Sequence, residues 1–319
     1  MRGFLIVVVG SLGLALQNVL LRVIFSESSI LGQGSWGGFL APTLSHSLLV
    51  LHLRSILILP AVILLSYRLY PTTTQALTQL LQPERRPTLR LALMSSSFLY
   101  LAMALLFVAI ASIPAGVATV LFFMHPVITG LLTWVVFGSR PSRLRLAVTV
   151  GVMLGSLLVV PSFAGSATAS LGLGVGAALG ASVAYSLQGV QAQICFRHIH
   201  PVPFTLINFA IMAFWSTLSL FFIQIEVPPE QWGILWGLSV IAAALTLLGQ
   251  LCYNVGIHLV RAASMSIVAV SNPVLTVALA WLLLQESLQG RQIFGMVLVV
   301  ASIVALGQEQ ARKPKTSAI

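Results

Sequence analysis

Acidic residues are almost missing from this chain. No aspartate occurs among its 319 residues, and the whole acidic complement is Glu27, Glu84, Glu226, Glu230, Glu286 and Glu309. Metal sites and general acid–base chemistry draw heavily on carboxylates, so no catalytic residue, metal site or other cofactor is expected. Cysteine is scarcer still. Cys195 and Cys252 lie within or at the ends of apolar runs and read as small buried hydrophobes, with neither disulfide nor zinc spacing. Charge of any sign is rare: 7% of residues are charged, against roughly 25% in soluble domains. That excludes a water-soluble fold.

What the chain does have is apolar length. It is 58% hydrophobic, with a mean hydropathy of +1.02. A membrane-spanning helix needs about 20 mostly apolar residues. By that ruler the chain divides into ten spans: 4–25, 48–70, 89–111, 115–138, 144–162, 171–197, 202–224, 231–257, 262–284 and 290–308. Two boundaries are thin, marked only by Ile113-Pro114 and by His258 to Arg261. The first apolar run continues to Ile24 with no small-x-small cleavage pattern, so it reads as a retained span rather than a signal peptide.

The net charge of +10 does not point to nucleic acid, because the arginines and lysines are scattered between apolar runs. With the N-terminus placed in the cytoplasm, most of them fall inside: Arg2, Arg68, Arg85, Arg86, Arg90, Arg140, Arg143, Arg145, Arg197, Arg261, Arg312, Lys313 and Lys315. Arg22 and Arg291 remain outside, with Arg54 a turn or so inside the outer end of the second span. Glu27, Glu226, Glu230 and Glu286 also fall outside. This positive-inside bias puts both termini in the cytoplasm.

A repeat runs through these spans. His125-Pro126-Val127-Ile128-Thr129 with Trp134 recurs 147 positions later as Asn272-Pro273-Val274-Leu275-Thr276 with Trp281. The first and sixth spans share a serine, Leu-Gln and valine: Ser11, Gln17 and Val19 match Ser182, Gln188 and Val190. Five spans per half is an odd number, so the two halves enter the membrane in opposite senses. The expected fold is an all-α polytopic membrane protein of ten transmembrane helices in two inverted five-helix repeats. Residues 1–162 form the first repeat, 163–308 the second, and 309–319 a basic cytoplasmic tail. Inverted repeats of this kind suit secondary transporters that bind substrate near the membrane midplane.

These spans, with Leu284-Gln285-Glu286-Ser287-Leu288 at the end of the ninth, then Gln292 and Gly295, resemble the EamA-type drug/metabolite transporter family over essentially the whole chain. Arg54 looks like the arginine the family often places near the start of its second helix. Ser139, in Phe137-Gly138-Ser139-Arg140-Pro141, departs from the family's usual glutamate, which suggests a lost helix-end contact that Glu286 keeps. The 26–46 connection is longer than is usual there. The resemblance implies a ten-helix fold moving small polar metabolites, often amino acids, through a central cavity.

Several residues are candidates for that cavity. Pro126 and Pro273 are expected to break their helices, because proline lacks the N–H for the carbonyl one turn earlier, near Phe122 in the first copy. Such a freed carbonyl needs a protein or water partner in hydrocarbon. His125 is the one ionisable residue placed near the centre of a span, which makes it a substrate-binding and proton-coupling candidate; the plainer reading is a hydrogen-bonded histidine holding a kink. Asn272 is its symmetry mate. Gln17 and Gln188, with Asn18 and Tyr185 beside them, offer groups that both donate and accept, or serve as interhelical glue. Tyr100, Tyr253 and Asn254 are further polar handles. Arg54, with His52 nearby, is expected to snorkel or to contact a helix end; the alternative is attraction of a carboxylate or phosphate. Trp134 and Trp281 suit an aromatic belt. Gly172, Gly174, Gly176 and Gly180, like Gly151 and Gly155, are expected to pack helices closely. The 26–46 connection reads as an untethered insertion, with a lid as the alternative. The basic 71–88 connection suits anionic lipid headgroups.

The function expected is a secondary transporter, in the exporting direction, of amino acids or similar neutral metabolites across a bacterial inner or plasma membrane. Partners are the small-molecule substrate and the lipid bilayer, with no nucleic acid and no obligate protein partner. The absence of clustered mid-membrane Arg or Lys speaks against phosphate esters. Efflux down a gradient needs no coupling ion; otherwise His125 carries the proton. The alternative is a non-transporting receptor or a subunit of a larger membrane complex. A lipid-modifying enzyme is disfavoured, because no nucleophile elbow, zinc pair or carboxylate dyad is present.

Overall fold

Apolar runs without internal turn signals become helices, since in hydrocarbon the backbone has no hydrogen-bond partner but itself. The computed structural model describes residues 2–29, 34–138, 143–159, 168–259, 271–285 and 289–312. In chain order these form α1 (Arg2–Phe25), β1 (Glu27–Ser29), β2 (Ser35–Gly37), α2 (Leu44–Leu69), α3 (Thr73–Leu80), α4 (Arg86–Ser112), α5 (Ala115–Phe122), α6 (His125–Phe137), α7 (Arg143–Val159), α8 (Thr168–Cys195), α9 (Pro201–Leu220), α10 (Trp232–Leu259), α11 (Ser271–Leu284) and α12 (Gly290–Arg312). Among the described residues, six helical stretches are long and apolar enough to cross a membrane, and three further apolar stretches are shorter.

Element ends follow local chemistry. Thr43 caps α2, its hydroxyl accepting from the His46 N–H at 3.3 Å. Pro201 opens α9 where its missing N–H removes no helical bond. Gly138 closes α6 in the left-handed region at φ 70°.

The packing buries small polar groups within an apolar core that includes Phe107 and Phe204, and leaves other large apolar side chains on the outer surface. Ser47, Ser55, Ser95, Ser96, Ser182 and Ser186 are fully buried, while Val135, Phe221 and Phe222 are about four-fifths exposed. Most of the buried hydroxyls fold back on their own helix: Ser55 donates to Leu51 O at 2.7 Å, Thr119 to Ala115 O at 2.7 Å and Thr246 to Ala242 O at 2.7 Å. Between helices, Ser96 Oγ donates to Asn208 Oδ1 at 2.7 Å and joins α4 to α9. Without a hydrophobic drive between helices in lipid, such bonds and close packing hold the bundle.

The helix pairings are regular. Helix α4 packs on α8 and α9, and α10 packs on α1 and α2. Helix α6 packs on α8 and α11 on α1, while α7 pairs with α12 and α2 with α9.

The span expected over 115–138 divides into α5 and α6 at a turn at Phe123–Met124, beside the break expected at Pro126. Three expectations need correction. The 26–46 connection is not untethered. It carries the β1–β2 hairpin, and Gly38 N and Leu40 N donate to Val23 O and Ile24 O of α1 at 2.9 and 3.0 Å. Gly37 sits at φ 112°, where an added Cβ would meet Val23 O and Ser26 O at 2.6 and 2.7 Å, so only glycine fits this seat. The glycine series on α8 does not pack uniformly: Gly174 and Gly180 abut Ile113 and Leu105, whereas Gly172 and Gly176 face open space. Gly174 points to the side opposite Gly172 and Gly176, whereas Gly180 shares a face with Gly176 and differs from it in what the neighbouring helix presents. Arg54 is the third.

Candidate functional site

The break between α5 and α6 organises the site. Pro126 brings no N–H to Phe122 O, and the chain turns at Phe123–Met124 before α6 resumes, with Val127 N and Ile128 N donating to Met124 O at 3.0 and 3.2 Å. His125 therefore starts a helix inside an apolar stretch that runs from Ala115 to Val136. Its ring lies among three others: Tyr185 at 4.8 Å, Phe122 at 5.2 Å and Phe123 at 5.3 Å between centroids. Its backbone oxygen accepts from Ser186 Oγ at 2.9 Å, a hydroxyl that also reaches Ser182 O at 2.8 Å. So α8 clasps the break through two adjacent residues, the Tyr185 ring and the Ser186 hydroxyl.

One turn back on α8, Ser182 Oγ is buried with no hydrogen-bond partner. Gln191 Oε1, further along the same helix, is in the same condition. A buried polar atom left unpaired costs about 1–3 kcal/mol, a cost both of these atoms carry. Gln188 lies between them and is nearly buried; its backbone oxygen accepts from Ser95 Oγ of α4 at 3.1 Å.

The second group of expected residues gathers on α1 and α11. Gln17 and Asn18 are buried on α1, and Asn272 Nδ2 donates to Ser11 O at 3.4 Å, a long bond. The two groups are built alike. His125 opens α6 against α8, and Asn272 lies at the start of α11 against α1. Whether the chain also breaks ahead of Asn272 lies outside the described residues, as do Glu286 and Ser139. The side chains of Pro126, Pro273, Tyr253 and Asn254 are likewise outside the description.

Tyr100 is not brought to either group. It stacks on Trp215 of α9 with centroids 6.5 Å apart, and Trp215 Nε1 donates to Ser97 Oγ at 2.8 Å. Trp134 and Trp281 are 41% and 64% exposed, as rings facing lipid would be. Arg22, expected at the outer side, donates through Nη1 to Ile110 O and Ala111 O at 3.0 and 3.1 Å, closing the end of α4.

Arg54 overturns its expectation. It neither snorkels nor caps a helix end: the residue is 5% exposed, and its guanidinium carbon sits 4.7 Å above the Phe107 ring centroid. Because α2 begins at Leu44 rather than at 48, Arg54 lies about 15 Å along the helix at 1.5 Å per residue, within one turn of its midpoint. His125 is thus not the one ionisable residue deep in a span. A cation–π contact supplies about 2 kcal/mol when desolvated, whereas burying a charge costs several kcal/mol. The ring alone does not hold this charge.

Sequence reasoning missed Ser182, Ser186 and the aromatic wall of Phe122 and Phe123. The signal was present in Ser182-Val-Ala-Tyr-Ser186, two serines one helical turn apart beside a candidate tyrosine.

The EamA-like transporter family matches residues 3–160 and again 172–308. A protein of Synechocystis sp. described as an uncharacterized transporter is 39% identical over 308 residues, covering 97% of this chain and 94% of its own. A protein of known crystal structure superposes with a TM-score of 0.51 over 99% of this chain and 97% of its own, at 17% identity, a likeness of fold alone.

Proposed function

Since the chain belongs to the EamA-like transporter family, we propose that it is a secondary transporter exporting small polar metabolites such as amino acids across the plasma membrane. The observation that carries this reading is the helix break at Phe123–Met124, which sets His125 beside Tyr185 and Ser186 of α8 inside an apolar stretch, one helical turn along α8 from the unpartnered Ser182 hydroxyl. Irregular backbone at membrane depth is tolerated where it is buried in protein or lines a water-filled space. Amides and hydroxyls that donate and accept suit a zwitterion.

Two inverted repeats working by alternating access account for the helix pairings. Exchanging α1, α2, α4, α6 and α7 with α8, α9, α10, α11 and α12 turns α4–α8 into α10–α1, α4–α9 into α10–α2 and α6–α8 into α11–α1. The pairs α2–α9 and α7–α12 map onto themselves. The two stretches matched by one family model support the same division. Gln17, Asn18 and Asn272 then form one half-site, and His125, Tyr185 and Gln188 the other. Tyr100 and Asn254 remain peripheral candidates.

Transport runs downhill in this scheme. No carboxylate occurs on α5, α6 or α8 to relay a proton to His125, and the histidine ring packs on aromatic rings. In proteoliposomes loaded with labelled amino acids, the wild type is expected to release substrate at a rate indifferent to a pH gradient. His125→Ala is expected to keep gradient-indifferent flux at a lower rate. Uphill movement driven by the pH gradient and lost in the variant would make His125 the coupling residue instead. No movement of any amino acid would remove the substrate assignment.

A further inference from the structure

Among the described residues Arg54 is a buried arginine with no counter-charge beside it. Arg54 is 5% exposed near the midpoint of α2. The helices packed on α2, namely α4, α9 and α10, carry no aspartate or glutamate, and neither does α2 itself. Its one close partner among the described residues is the Phe107 ring face. Arg22 shows that this fold can satisfy an arginine through backbone, since two carbonyls at the end of α4 accept from it. Among the described residues Arg54 receives no such support. Buried charges in proteins are paired, and an arginine head presents a planar fork matched to a carboxylate. Tyr100, a candidate from sequence, lies seven residues from Phe107 and so on the same side of α4.

We propose that Arg54, held over Phe107 between α2 and α4, binds the carboxylate of the transported solute. The solute is then a carboxylic acid anion or an amino acid, and the arginine is neutralised only when it is bound. This rests on the transporter reading above, and it narrows the substrate class to carboxylates.

The test follows thermal unfolding of the purified full chain in detergent at fixed pH and ionic strength. The probes are L-threonine, L-glutamine, L-phenylalanine and lactate, each against its carboxamide. At least one carboxylate is expected to raise the wild-type Tm by several degrees, with no effect of its amide. Arg54→Met is expected to unfold no lower than wild type without ligand, because it removes an uncompensated charge, and to show no shift with any probe. Arg54→Lys keeps the charge but loses the fork, and is expected to bind about tenfold more weakly.

A large loss of stability in Arg54→Met, with no carboxylate shift in wild type, would make the arginine a purely structural element. Stabilisation by dioleoylphosphatidylglycerol alone would assign the site to a lipid phosphate and overturn the solute. A carboxylate shift without flux in vesicles would remove the transporter reading and leave the Arg54 assignment standing. Unchanged flux in Arg54→Met would do the reverse.

Discussion

Gly155 and Gly176 are both helical glycines in apolar spans, yet they stand in opposite situations. A Cβ on Gly155 would meet Gly295 O and Val299 Cγ2 at 2.7 Å and Val299 N at 3.1 Å, two of them backbone atoms of α12 that cannot step aside. A Cβ on Gly176 would meet nothing within 4 Å. Gly155→Ala is therefore expected to destabilise by about 1–3 kcal/mol through overpacking. Gly176→Ala is expected to be neutral or to stabilise by up to about 1 kcal/mol. Thermal unfolding in detergent reads both, and equal losses would show that α8 packs as tightly as α7. The glycine spacing visible in sequence does not separate these two cases, because the difference lies in what the neighbouring helix presents. Candidate polar residues share this limit. His125 and Tyr185 stood out by chemistry and position, but their meeting at 4.8 Å depends on how α6 crosses α8.

At the scale of the element, the α5–α6 break is a local consequence of Pro126 and was legible from one residue. Its depth in the span was legible too, because apolar residues continue on both sides. What the proline alone does not say is that α8 closes over the break with Ser186 and Tyr185. Pro126 stands in the first turn of α6, where proline is tolerated, and Pro126→Ala restores an N–H for Phe122 O. The variant is expected to unfold at the same or a higher temperature while its flux in proteoliposomes falls at least about tenfold, since a continuous helix loses the hinge. Undiminished flux would show that the break is not part of the transport cycle. The β1–β2 hairpin gave no such signal. Its strands are three residues each, too short for periodicity, and its seat on Val23 and Ile24 is a tertiary contact.

For the whole molecule, the orientation proposed from the basic residues can be checked directly. After Cys195 and Cys252 are replaced by alanine, Ser28→Cys in the hairpin is expected to react with a membrane-impermeant maleimide on intact cells. Thr78→Cys in α3 is expected to react only after permeabilisation. The opposite result would invert the topology and reverse the positive-inside assignment. Amino-acid order by itself determined that this is a membrane protein, where most helices begin and end, and that a helix is broken in mid-span beside Pro126. These follow from hydrogen-bond saturation and apolar length, which are properties of contiguous residues. Only the tertiary structure decided that Arg54 is buried over Phe107, that Ser182 and Gln191 are left unpartnered, and that Tyr100 stacks away on Trp215. Those outcomes depend on which face each helix turns to its neighbours. Along a span that is apolar on every side, amphipathic periodicity is too weak to choose that face, so packing between helices must.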